Sequence, residues 1–301
     1  MSIVERIIIT TFALLSFALA NLISKECEIN DERLTCHCDN NQEFSLSEEY
    51  NYENVTSLNL SSCSTATLDT SFTESNKIEE LVITNIGELL TLEVFLHTDQ
   101  LKRFELTNIK KIPYINHDLF SHLHYIEHFE MRNVHVDYFE EEFIGIKVDH
   151  FVMANVTISN MKGFNFSEHG ETLQISDCEF RNASTLLLNF GVFSNVEIVN
   201  SKFELQKPGR LLVESNETIV RDNFFFNVSM NLVAAKIVKI NNTCADDNSS
   251  LRIFSNNIES FDNKLPTTIL YKGPTSYKVS ESNNTICKAD PVLTFCRKYC
   301  Q

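Results

Sequence analysis

The stretch Leu101-Lys102-Arg103-Phe104-Glu105-Leu106-Thr107-Asn108-Ile109-Lys110-Lys111-Ile112-Pro113 decides the fold. Phe104 and Leu106 alternate with polar neighbours, the signature of a half-buried strand. Asn108 follows two residues later, where a short amide suits a turn out of that strand. The apolar-x-apolar-x-Asn/Asp pattern then recurs, its second apolar residue falling at Leu60, Ile83, Leu106, Met131, Met153, Ile175, Ile198, Val220 and Ile240. The steps between them are 23, 23, 25, 22, 22, 23, 22 and 20. Two weaker copies follow at Ile253 and Val279, after steps of 13 and 26. No unit of this size buries an apolar strand face alone; stacked units do. The repeat therefore predicts a β-solenoid of parallel coils of about 20–25 residues.

The residue two after each anchor is Asn85, Asn108, Asn133, Asn155, Asp177, Asn200, Asp222 and Asn242. Stacking brings these within about 4.8 Å of one another, where their side chains can bond the backbone at the turn. Around the first coils the pattern extends to Ile78-x-x-Leu81-x-Ile83, Ile126-x-x-Phe129-x-Met131 and Val148-x-x-Phe151-x-Met153, with Phe95, Phe120, Phe143 and Phe166 returning later in each unit. Over about residues 25–170 the chain resembles an extracellular leucine-rich-repeat protein. Cys27, Cys36 and Cys38, followed by Cys63, resemble the cysteine-rich N-terminal cap of that class. The resemblance implies a concave strand face that takes a ligand. The family's asparagine sits three residues after the anchor; here that position holds Ile86, Ile109, Val134, Val156 and Cys178. Beyond residue 170 the units drift toward a parallel β-helix style of coil, with Phe180, Phe203 and Phe225 in one phase as a core column. One solenoid is expected throughout: a cap and first repeat over 21–63, leucine-rich-repeat-like coils over 64–170, β-helix-like coils over 171–240 and a cysteine-rich cap over 241–301.

The compartment reads from both ends of the chain. Ile7 to Ala20 is apolar and closes on Ala18-Leu19-Ala20, a small-x-small cleavage pattern, so 1–20 is expected to be a secretory signal. Cys27, Cys36, Cys38 and Cys63 stand at one end and Cys244, Cys287, Cys296 and Cys300 at the other, which predicts disulfide-stapled ends with the pairings open. Cys178 stands alone, in the phase of Cys63, and is expected as a buried thiol. Ten N-glycosylation sequons occur, at Asn54, Asn59, Asn155, Asn165, Asn182, Asn216, Asn227, Asn241, Asn248 and Asn283. The expectation is a secreted glycoprotein with no membrane span after signal removal.

The 301 residues carry a net charge of −16, which argues against nucleic acid and anionic membrane as partners. Only seven glycines are present, so a glycine-rich phosphate loop is absent, and no cofactor or metal is implied. Asp246-Asp247 is the one carboxylate pair that suits a glycosidase or lyase, but no Gly-His-Gly accompanies it. A β-helix carbohydrate-active enzyme and a matrix glycoprotein therefore stand as alternatives to a non-enzymatic binding protein.

Strand phase assigns the outward positions. Glu79, Lys102, Glu127 and Asp149 form one column; Glu80, Arg103, His128 and His150 the next; Val82, Glu105, Glu130 and Val152 a third, with Arg132 beyond. This mixed-charge strip is the candidate site for an extracellular protein. No sequon lies between residues 60 and 154, and eight of the ten lie from Asn155 onward, so the strip coincides with the bare surface.

Overall fold

A computed structural model describes residues 27–39, 41–45, 54–68, 77–93, 96–246, 249–264, 269–274 and 276–284. The expected signal at 1–20, Phe95, Asp247, Asn248, Cys287, Cys296 and Cys300 lie outside them. Among the described residues, twelve parallel strands stack in register as the first sheet of a β-solenoid. They are Arg33–His37, Ser57–Ser61, Glu80–Ile86, Gln100–Ile115, Tyr125–Phe139, Lys147–Met161, Gly170–Ser176, Phe193–Val199, Lys202–Arg221, Phe224–Asn241, Leu251–Phe261 and Lys278–Ser282. The longer ones bend at corners and enter further sheets. The described residues hold no α-helix; a 3₁₀ turn, His117–Phe120, is capped by Asn116 Oδ1, which accepts the Leu119 N–H at 3.0 Å.

The anchors pair across the stack as the repeat requires, from Cys36 and Leu60 through Ile83, Leu106, Met131, Met153, Ile175, Ile198 and Val220 to Ile240. The last two copies correct the sequence reading. Ile240 pairs with Ser260, and Ser260 with Glu281, so the ladder continues at steps of 20 and 21 with polar residues in the anchor phase. Ile253 instead pairs with Leu232 in another sheet, and Val279 sits two residues before the anchor phase, beside Ile258.

The first corner explains the Asn/Asp column. Ser62, Asn85, Asn108, Asn133, Asn155, Asp177, Asn200, Asp222, Asn242, Asp262 and Asn283 all adopt the left-handed conformation, with φ between 44° and 63°. A Cβ is disfavoured there, and Asn and Asp tolerate it best after glycine. Their side chains bond one another rather than the backbone: Asn108 Nδ2 donates to Asn85 Oδ1 at 2.9 Å, Asn133 to Asn108 at 2.6 Å, Asn155 to Asn133 at 2.8 Å and Asn200 to Asp177 at 2.5 Å.

The backbone bonding falls to the next residue. In the early coils it is apolar, and strands such as Gln100–Ile115 run through the corner, with Ile109 paired to Ile86 and Val134. In the later coils the strand stops before the corner and a buried polar side chain takes over. Ser201 Oγ accepts the Cys178 N–H at 3.1 Å, Asn223 Oδ1 the Ser201 N–H at 2.8 Å, Asn263 Oδ1 the Thr243 N–H at 3.0 Å and Asn284 Oδ1 the Asn263 N–H at 3.1 Å.

Aromatic columns fill the coil interior. Phe104, Phe129 and Phe151 stack at 5.0 and 4.9 Å between centroids, and Phe180, Phe203 and Phe225 at 4.9 and 5.3 Å. At Gly170 a Cβ would lie 2.1 Å from Val148 O, so the coils close there only without a side chain. From Leu187–Asn189 onward a third sheet appears, continuing through the later strands to Ile269–Lys272. At the N-terminal end Cys27–Asn30 pairs antiparallel with Arg33–His37 and covers that edge. Cys27 is bonded to Cys36 and Cys38 to Cys63. Cys244 is also in a disulfide, its partner outside the described residues.

Candidate binding face

The first sheet presents the strip as columns in register. Glu80, Arg103, His128 and His150 pair in sequence across four coils, and so do Val82, Glu105, Glu130 and Val152. Inward neighbours such as Phe104, Leu106, Phe129 and Met131 are fully buried, which fixes the polar residues outward.

The charges on this face neutralise one another. Lys102 Nζ lies 2.6 Å from Glu79 Oε2 in the preceding coil, and that hydrogen bond raises the Lys102 pKa. Arg103 pairs with Glu105 along its own strand, and Thr107 Oγ1 donates to the same carboxylate at 3.2 Å. Glu130 bonds both Arg132 and His128, the latter at 2.7 Å. Burial alone would raise the Glu130 carboxyl, but these two hydrogen bonds hold it below its ordinary value. Asp149 likewise resists burial through Lys147 at 2.8 Å and the Tyr125 hydroxyl at 2.6 Å, and its pKa is lowered. The same bond to Asp149, with burial, pushes the Tyr125 hydroxyl up to about 12. His150 Nδ1 meets Thr172 Oγ1 at 2.9 Å, its ring 6.3 Å from His128. Glu127 is the strip carboxylate with no ion pair.

Tyr125, Lys147 and Thr172 join this face beyond the residues that strand alternation assigns to the strip. Tyr125 pairs with Gln100 and Lys147, so their column was legible from the same alternation; which charges would meet was not. The result is a polar face whose charges mostly pair within it. Each exposed pair contributes little to stability, and a partner can exchange it for one across an interface.

No protein-family model, curated protein or solved structure matches this chain.

Concave places occur along the later coils. A groove of about 700 Å³ follows the first corner of the later coils and includes Asp177, Glu179, Arg181, Lys202 and Asp222. Its carboxylates are engaged: Glu179 by Arg181 at 2.6 Å and Lys202 at 3.2 Å, Asp177 by Asn200, and Asp222 by Asn242. The Arg181 bond, against burial, holds Glu179 below its ordinary pKa, whereas a general acid needs a raised one. Asp246 is buried and accepts the Asn227 N–H at 2.9 Å and the Ser249 hydroxyl. Among the described residues no group of three or more His, Cys, Asp or Glu could hold a metal ion.

The sequons differ in setting. Asn54, Asn155, Asn182, Asn216 and Asn283 are exposed, and Asn59, Asn165 and Asn241 are half-buried. Asn59 faces outward on the first sheet, in the column of Val82 and Glu105. Asn227 does not suit a glycan in this fold: it is buried, and its Nδ2 donates to Leu205 O at 3.1 Å.

Cys178 is a buried free thiol whose Sγ donates to Ser176 O at 3.1 Å. Burial pushes its pKa up to about 12, so the thiolate that reacts with alkylating reagents is scarce at neutral pH. Native protein should leave Cys178 unmodified by iodoacetamide over hours, and denaturation without reductant should make Cys178 alkylate. Rapid native labelling at Cys178, read by mass spectrometry, would contradict the burial.

Proposed function

We propose that this chain is a secreted, non-enzymatic glycoprotein that binds an extracellular protein through the strand face centred on Glu79, Lys102, Arg103, Glu105, Glu127, His128, Glu130, Arg132, Asp149 and His150. The observation that carries the reading is the polar ladder in register over four coils, with no sequon between residues 60 and 154. The leucine-rich-repeat resemblance adds that such a face is where that class takes its ligand. The disulfides fit an oxidising compartment. Adhesion, ligand capture and a soluble decoy of a receptor are the roles open to such a molecule. The burial of Cys178 removes the cross-link that would have favoured a matrix glycoprotein.

The test adds a glycan to the face. Glu105-Leu106-Thr107 becomes a sequon by Glu105→Asn alone, at the position the natural Asn59-Leu60-Ser61 occupies two coils away. Secreted 21–301 should capture a protein partner from extracellular fluid. Glu105→Asn with the glycan present should lose it, and Lys102→Glu/Arg103→Glu/Arg132→Glu should weaken it at least about tenfold. Undiminished capture by both variants would move the site off this face.

A further inference from the structure

The third sheet carries a pocket remote in sequence from the strip residues of the first sheet. Most cations on the described surface sit against carboxylates, as Lys102, Arg103, Arg132, Lys147, Arg181 and Lys202 do. Arg210 and Arg252 do not: both are exposed, and neither has an ion pair. They border a single pocket of about 390 Å³, together with Gly209, Ser229, Asn231 and Ser250.

Register explains how the pocket is assembled. Arg210 pairs with Ser229, and Asn231 with Arg252, so the two arginines lie on the outer rungs of three and the serine and asparagine on the middle one. Outer rungs are about 10 Å apart, a gap that two arginine side chains can close from opposite sides. Ser229 Oγ accepts the Ser250 N–H at 3.2 Å, which leaves its own hydrogen free to donate. At Gly209 a Cβ would lie 2.6 Å from Leu186 O, so that wall is bare backbone. Among the described residues no carboxylate lines the pocket. Glu214, four residues along from Arg210, belongs to a different pocket with His169.

Two guanidinium forks, a hydroxyl and an amide line the same pocket. On a chain of net charge −16, unpaired arginines at one spot run against the overall field. Guanidinium forks match the paired oxygens of carboxylate, sulfate and phosphate. We propose that the pocket between Arg210 and Arg252 is an oxyanion-binding site, independent of the strand face of the first sheet.

Calorimetry on the secreted, glycosylated chain at low ionic strength tests this. The probes are inorganic sulfate, inorganic phosphate, digalacturonate and a sulfated disaccharide, which separate a free ion from a carboxylate or sulfate carried on a sugar. At least one should bind with a stoichiometry of one. Arg210→Gln and Arg252→Gln should each weaken that probe about tenfold, and the double variant more than either. Arg221→Gln, a change at an arginine beside Asp222 on the first corner, should leave it within about twofold. Binding by none of the four probes, or binding that the double variant retains, would overturn the proposal.

Discussion

Phe143→Ala is expected to remove about 3–5 kcal/mol of folding stability, measured by urea unfolding of the secreted chain. Phe143 is fully buried where the aromatic columns meet, with ring centroids at 5.0 Å from Phe166, 5.3 Å from Phe129, 5.6 Å from Phe151 and 5.9 Å from Phe120. Removing the ring opens a cavity between coils that stacked strands cannot close by local collapse. The backbone supplies a second test. Phe143 has φ 60°, held by Glu141, whose carboxylate accepts its N–H and also bonds His117 at 2.7 Å. A side chain at that φ carries a strain of about 1 kcal/mol that glycine avoids. Phe143→Gly should therefore be more stable than Phe143→Ala by about 1 kcal/mol, the reverse of the usual order. An alanine variant within about 1 kcal/mol of wild type would show that the aromatic junction does not hold the coils together; alanine above glycine would remove the left-handed backbone.

The repeat was legible because every coil obeys the same two demands. It must turn two alternate side chains inward, and it must bend at a corner that disfavours a Cβ. Leu106 and Asn108 meet these demands in one coil, Val220 and Asp222 in another. The signal failed at Ser260 because the coil interior there is polar: Ser260 Oγ accepts from Asn263, Asn284 and the Tyr271 hydroxyl. Periodicity of apolar residues cannot follow such a switch, and Ile253, the nearest apolar match, belongs to the third sheet. On the candidate face, alternation placed Arg103, His128 and His150 in one column. It could not say that Arg103 would turn along its strand to Glu105 while Lys102 reached back to Glu79, because that choice depends on side-chain torsions. The Arg210–Arg252 pocket was invisible for a related reason. Its members come from three coils, and only the register of the third sheet brings them together.

The interior polar ladder gives the other large effect, and Asn223 is its best probe. Its Oδ1 accepts the Ser201 N–H at 2.8 Å, its Nδ2 donates to Ile198 O at 2.7 Å, and the residue is 2 % exposed. Asn223→Ala leaves a buried donor and a buried acceptor unpaired, each costing about 1–3 kcal/mol, so a loss of about 2–4 kcal/mol is expected. Asn223→Ser should fall between, because Ser201 shows that a hydroxyl can take a backbone N–H at this position: it accepts from Cys178 at 3.1 Å. The order Asn above Ser above Ala, read from urea unfolding, separates a hydrogen-bonding role from mere packing; alanine equal to serine would reject the bonding role. The same position in an early coil should behave oppositely. Ile109 lies within an unbroken strand whose ladder bonds already satisfy the backbone, so Ile109→Asn would bury an amide beside groups that are paired without it. One fold thus uses two chemistries at one corner. Where the strand runs through, the interior is apolar; where it breaks, a Ser or Asn side chain supplies the missing acceptor.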